Sequence, residues 1–310
     1  MNLLVNLYAI TLTILSAITP VGGLFTDLHD QFARAAITET TATKAAETPI
    51  DLPAYKPFPY KSAAYTPYQA RARSAAVYDL DSASYLYTKN HQQQLPIASI
   101  TKIVTALIIL QNHDPDDIVT IPEGLELPAD AERIGIKTGE QFRVDEALRV
   151  MLIPSANDMA QALAIWDADS LEQFATKMNE QARLWNLKNS QFKNPTGLDQ
   201  DGHYASIEDL VTVATILLQN DDFRAIIATD RYTATNQAGK RYSLVSTNKL
   251  LSYPYIKGLK TGLTIEAGQT LVTLAQKADQ QLIGVVLNSP DRFQESKNML
   301  DWAFANHIWK

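Results

Sequence analysis

Pro96-Ile97-Ala98-Ser99-Ile100-Thr101-Lys102-Ile103-Val104-Thr105-Ala106-Leu107-Ile108-Ile109-Leu110 is apolar nearly all round after Lys102. A helix without a polar face belongs inside a core. The stretch therefore predicts a buried helix that starts just after Pro96 and carries Ser99 and Lys102 at its exposed tip. Residues three apart share one helix face, with Cβ atoms ~5–6 Å apart. A serine hydroxyl becomes a nucleophile when a neighbour takes its proton. A lysine can be that neighbour when desolvation lowers its pKa. Free N–H groups at the helix start, that of Ser99 among them, could hold an oxyanion. Taken as four residues, the simpler reading is an N-capping serine and a surface lysine. Ser190-Gln191-Phe192-Lys193 and Ser246-Thr247-Asn248-Lys249 repeat the spacing but open no long apolar helix. Context singles out Ser99.

Outward from this helix, Ala75 to Leu80 and Tyr85 to Tyr87 flank Asp81-Ser82-Ala83-Ser84 as a β-hairpin. Downstream, helical patterns cover 145–153, 157–166, 170–185 and 207–219, with Ser170 and Ser206 as caps. Strand patterns follow at 268–275 and 281–287, joined by a polar turn, and an amphipathic helix spans 292–306. Strands at both ends with helices between them predict an α+β fold, one antiparallel sheet with a helical insert.

The 310 residues fit one large domain or two small ones. Hydrophobic residues make up 46% and charged residues 20%, an ordinary globular balance. A net charge of −7 gives no reason to expect a nucleic-acid partner. The chain has no cysteine, which excludes disulfides and thiol catalysis. Residues 2–25 carry no charge and are long enough to cross a bilayer. No lysine or arginine precedes them, unlike a secretory signal, so residues 1–26 are expected to be an uncleaved membrane anchor. Secretion after signal cleavage is the alternative. Residues 27–70, rich in Thr, Ala, Pro and Tyr, are expected to form a linker, and 71–310 the folded domain outside the cytoplasm.

Two more short motifs carry chemistry. Ser155-Ala156-Asn157 lies at a helix junction, where a hydroxyl could shuttle a proton and an amide could hold a peptide carbonyl. A helix cap is the plain alternative. Lys260-Thr261-Gly262 precedes the C-terminal hairpin and is expected on a strand. Lysine and threonine together suit a carboxylate, while Gly262 clears space for an approaching backbone. An extended peptide could pair with this strand edge. Lys137-Thr138-Gly139 repeats the pattern, but Glu140 behind it would repel an anion, so it is set aside.

The order Ser99-x-x-Lys102, Ser155-x-Asn157, Lys260-Thr261-Gly262 resembles that of the penicillin-recognising serine enzymes. The flanks Asn194-Pro195-Thr196-Gly197-Leu198-Asp199, Gly202-His203-Tyr204 and Glu266-Ala267-Gly268 narrow the similarity to the low-molecular-mass D-alanyl-D-alanine carboxypeptidases. The resemblance covers about residue 75 to the C-terminus. It implies an α/β/α sandwich with a roughly five-stranded antiparallel sheet and an all-α subdomain. It implies that Ser99 attacks the penultimate D-alanine carbonyl of a peptidoglycan stem peptide, and that Lys102 takes its proton. Ser155 would relay a proton to the leaving amine, and Asn157 would hold a substrate amide. Lys260 and Thr261, with Gly262 beside them, would bind the terminal carboxylate, and the N–H groups of Ser99 and Leu263 would form the oxyanion hole. β-Lactams would be covalent inhibitors, and no metal or other cofactor is implied. Two positions depart from the family's habit: Ala156 stands where Gly or Glu is frequent, and Leu263 where relatives often carry His, Tyr or Phe.

Three rival readings stay in view. A class A β-lactamase would need an E-x-x-L-N segment, and none is present. A DD-endopeptidase that cuts cross-links shares all three motifs. A slow membrane-bound β-lactam sensor would need a signalling module, yet only Met1 and Asn2 precede the apolar run. The chain ends soon after its last helix, as short endopeptidases do, but the motif flanks favour the carboxypeptidase. His29, His91, His113, His203 and His307 show no metal-ligand spacing, and His203 is expected to make a structural hydrogen bond.

Overall fold

The structure, a computed structural model, describes residues 58–310. Its centre is a five-stranded antiparallel sheet of β2 (Ser74–Asp79), β3 (Ser84–Lys89), β8 (Ile256–Thr264), β9 (Gly268–Lys277) and β10 (Gln280–Ser289). The strands lie in the order β3-β2-β10-β9-β8, so β8 is an edge. Side chains alternate strictly across β9 and β10. Val272, Leu274, Ile283 and Val285 enter one core, while Leu271, Ala275, Leu282 and Val286 enter a second on the other face. Both faces are covered, which is why β9 and β10 are buried without a break over 270–275 and 282–287.

One face packs on the C-terminal helix, Arg292–Asn306, through Met299, Leu300 and Ala303. The other receives α1 (Lys102–Asn112) and α5 (Ile207–Leu217). The result is the α/β/α sandwich that the resemblance implied. Between β3 and β8 lie α1, α2 (Val144–Leu152), α3 (Asn157–Ala168), α4 (Leu171–Leu184), α5 and α6 (Asp221–Ile227), so the C-terminal helix is α7. Ser170 and Ser206 cap α4 and α5, accepting from Gln173 N at 3.1 Å and Asp209 N at 3.2 Å.

Four features differ from the sequence reading. Ser99 belongs to a 3₁₀ turn, Ala98–Thr101, and the α-helix begins at Lys102. Ala98 enters that turn at φ 49°, a left-handed conformation that an α-helical start would not contain. Two short hairpins, β4 (Ile118–Thr120) with β5 (Gln141–Arg143) and β6 (Arg231–Thr235) with β7 (Arg241–Val245), went unforeseen because they are short and largely polar. Helix α6, capped by Asn220, is barely two turns long and was also missed. Finally, the end of the expected linker is packed. β1 (Pro59–Lys61) pairs antiparallel with β11 (His307–Trp309), and the rings of Tyr65 and Tyr68 pack against Trp302 of α7, the first edge-on and the second tilted. The rest of that segment and the expected anchor lie outside the described residues, among which no helix is long and apolar enough to cross a membrane.

Candidate active site

The 3₁₀ turn sits between β8 and the helical insert and is held from three sides. From below, the loop 194–199 supplies Gly197 at φ +81°. A Cβ there would fall 1.8 Å from the Ala98 carbonyl oxygen, so only glycine fits. From the side, His203 Nδ1 accepts from Lys193 N at 3.1 Å. That leaves Nε2–H to donate to Thr101 Oγ1 at 2.8 Å, and Thr101 in turn donates to Ala98 O at 2.9 Å. Burial lowers the His203 pKa to about 4, so the ring is neutral and this chain of donors stays fixed near neutrality. From the sheet, Gly262 lets β8 approach the turn: a Cβ would lie 2.4 Å from Thr270 Oγ1 and 2.9 Å from Ile97 O. Gly262 was expected to admit another backbone, and the one it admits is the turn's own. Gly197→Ala is expected to cost several kcal/mol, because steric overlap and a positive φ act together. Thermal unfolding of the variant checks this; an unchanged Tm would mean that the turn yields easily.

Lys102 is fully buried. Its Nζ lies 2.9 Å from Ser99 Oγ, 2.7 Å from Asn157 Oδ1 and 2.8 Å from Thr196 O. The last two atoms can only accept. Burial, and then the charge of Lys260, hold Lys102 well below its ordinary pKa, against the opposing pull of Asp158 and Glu132. A neutral amine has two N–H bonds and one lone pair. In that form the two carbonyl oxygens would take both N–H bonds and leave the lone pair for the hydroxyl of Ser99.

Ser155 holds φ 66° in the turn before α3 and is buried. Its Oγ accepts from Lys260 Nζ at 2.8 Å. Lys260 also donates to Thr261 O at 3.0 Å. An ammonium has three donors, so one remains for a ligand. Burial, reinforced by the Arg292 charge, lowers the Lys260 pKa to about 7. Thr261 Oγ1 shares a hydrogen bond of 2.6 Å with Thr247 Oγ1. Leu263 is 61% exposed at the outer end of β8.

Ser99, Lys102 and Asn157 thus form one network and Ser155, Lys260 and Thr261 a second beside it, with Gly262 packed on the serine's turn. The repeated motifs are used elsewhere. Ser190 donates to Asp209 at 2.6 Å, Ser246 accepts from Asn248 N at 3.2 Å, and Lys137 is exposed. Sequence reasoning assigned no part to Thr196, Thr247 or Arg292. Thr196 acts through its carbonyl, which no side-chain pattern reveals, although it lies within the quoted Asn194–Asp199 flank. Thr247 was hidden inside the discounted Ser246-Thr247-Asn248 copy. Arg292 read as the first residue of a helix, but its guanidinium donates to Gly262 O.

A profile of the family described as D-alanyl-D-alanine carboxypeptidase matches residues 61–291. The chain is similar to D-alanyl-D-alanine carboxypeptidase DacF of Bacillus subtilis, with 35% identity over 245 residues, covering 76% of this chain and 63% of that protein. A D-alanyl-D-alanine carboxypeptidase of a Streptomyces strain is 30% identical over 243 residues, covering 71% of this chain and 82% of that one. Among solved structures, a Streptomyces DD-transpeptidase superimposes with a TM-score of 0.70 at 28% identity, covering 77% of this chain and 99% of that one. The chain spans about three fifths of the length of the first curated relatives it matches.

Proposed function

The chain belongs to the D-alanyl-D-alanine carboxypeptidase family, and we propose that it is a serine-type carboxypeptidase that removes the terminal D-alanine of peptidoglycan stem pentapeptides. The observation that carries the reading is the buried Lys102, whose Nζ lies 2.9 Å from Ser99 Oγ and is held there by Asn157 Oδ1 and Thr196 O. Ser99 Oγ bonds to the penultimate D-alanine carbonyl carbon as its proton passes to Lys102. The N–H groups of Ser99 and Leu263 hold the oxyanion. Collapse breaks the C–N bond, and the leaving amine takes a proton through Ser155, which Lys260 supports at 2.8 Å. Water then attacks the ester, releasing the shortened peptide.

The terminal carboxylate binds the third donor of Lys260 and the hydroxyl of Thr261. Arg292, whose charge already acts on Lys260, adds to the positive field there. Asn157 Nδ2 holds a substrate amide carbonyl. β-Lactams acylate the same serine. The domain works outside the cytoplasm on the cell wall, and residues 1–26 attach it to the membrane.

Lys260 must be charged to bind a carboxylate, and its pKa is about 7. Its share of kcat/KM on the pentapeptide is therefore full below pH 7 and lost as pH rises through that value. Lys260→Ala is expected to reduce kcat/KM by about 10–100-fold, the worth of a charge-assisted hydrogen bond. It should also remove the alkaline fall, whereas Lys137→Ala should change neither. Equal effects from the two lysines would overturn the assignment. The bond cut is decided by mass spectrometry of two digests. D-Alanine release from a pentapeptide is expected to outpace cleavage of a cross-linked dimer, and the reverse would identify an endopeptidase.

A further inference from the structure

Three residues in the first turns of α3 grip the long loop 121–140 between β4 and β5. Asn157 donates from both its backbone N and its Nδ2 to Glu132 O, at 2.9 and 3.0 Å. Gln161 Nε2 donates to Glu126 O at 2.7 Å. Asp158 is buried, and its carboxylate accepts from Gly135 N at 2.8 Å, Ile136 N at 3.3 Å and Ile134 N at 3.4 Å. It therefore fixes the segment immediately following Glu132.

The consequence reaches the nucleophile. An amide side chain can present either its oxygen or its nitrogen to a neighbour. The Glu132 carbonyl only accepts, so it demands the NH2 group of Asn157. That turns Oδ1 towards Lys102, where it takes one of the two amine N–H bonds. If the loop shifted, the Asn157 amide would lose its reference and Lys102 an acceptor.

We propose that Asp158 is a positioning residue, which holds loop 132–136 so that Glu132 orients the Asn157 amide and, through it, the Lys102 Nζ against Ser99 Oγ. This rests on the reading of Ser99 as the acylated residue. Charge supports the same placement. The groups acting on Lys102 are Lys260, which lowers its pKa, and Asp158 and Glu132, which raise it.

The test is the second-order rate of penicillin acylation across pH, with three variants of the full chain and a double-mutant cycle. Asp158→Asn is expected to slow acylation by about 10²-fold, the scale of a small misplacement of a reacting group. Loss of its negative charge should also move the acid limb of the profile to lower pH, a shift that loosened packing alone would not produce. Gly135→Ala probes the loop without touching the core. Its φ is +76° and a Cβ there meets nothing within 4 Å, so the variant is expected to fold with a strained loop. It should slow acylation with no shift of the limb, and it decides the matter if Asp158→Asn does not fold. In an Asn157→Ala background neither substitution should lower the limiting rate much further, while the limb shift of Asp158→Asn should persist, because the charge acts on Lys102 directly. Wild-type rates in both variants, or full additivity with Asn157→Ala, would overturn the proposal. Failure of the wild-type chain to acylate at all would instead overturn the proposed function.

Discussion

Ser99→Ala is expected to lower turnover of a D-Ala-D-Ala pentapeptide by on the order of 10⁶-fold, the scale seen when a serine hydrolase loses its nucleophile. Every step of the mechanism passes through an ester on that oxygen. The fold should be untouched, because the serine hydroxyl is not what holds its turn. Thr101, Gly197 and Gly262 do that through backbone contacts and the neutral His203. The expected signature is a dead enzyme with a near wild-type Tm. Turnover within tenfold of wild type would mean that another residue attacks the peptide.

Lys102→Ala should be nearly as damaging to the chemistry and worse for the fold. Loss of a general base costs ~10²–10⁴-fold. Asn157 Oδ1 and Thr196 O would also lose their donor in a buried space, at about 1–3 kcal/mol for each unsatisfied group. The variant should therefore unfold at a lower temperature than Ser99→Ala, although the apolar face of α1 keeps the core together. Penicillin acylation at the wild-type rate would remove Lys102 from the role of base.

The parts of the fold legible in the sequence were those with a strong period. Ile103 to Ile109 is buried without interruption, as an all-apolar helix must be. The apolar runs of β9 and β10 and the serine caps of α4 and α5 were equally plain. The turn that carries Ser99 was not legible, because its shape is imposed from outside. Gly197 and His203, a hundred residues downstream, hold the Ala98 carbonyl in a left-handed corner, the histidine through the turn's own Thr101.

For the candidate site, the residue types and their order were readable, and the structure brings them together. Their division of labour was not. The lowered pKa of Lys102 comes from burial and the charge of Lys260, and the place of its Nζ from two acceptors, Asn157 Oδ1 and Thr196 O, all of which only the folded chain supplies. The packed segment 59–70 was lost for a different reason. Its aromatic residues have no period of their own and gain a place only against distant rings, Tyr65 on Trp302 and His307, Tyr68 on Trp302 and Tyr87.

Peptide mapping of the wild-type protein after brief exposure to penicillin tests the proposed chemistry most directly. The adduct should sit on the peptide containing Ser99 and be absent from Ser99→Ala. An adduct on Ser155, Ser190 or Ser246, or labelling that survives Ser99→Ala, would contradict it.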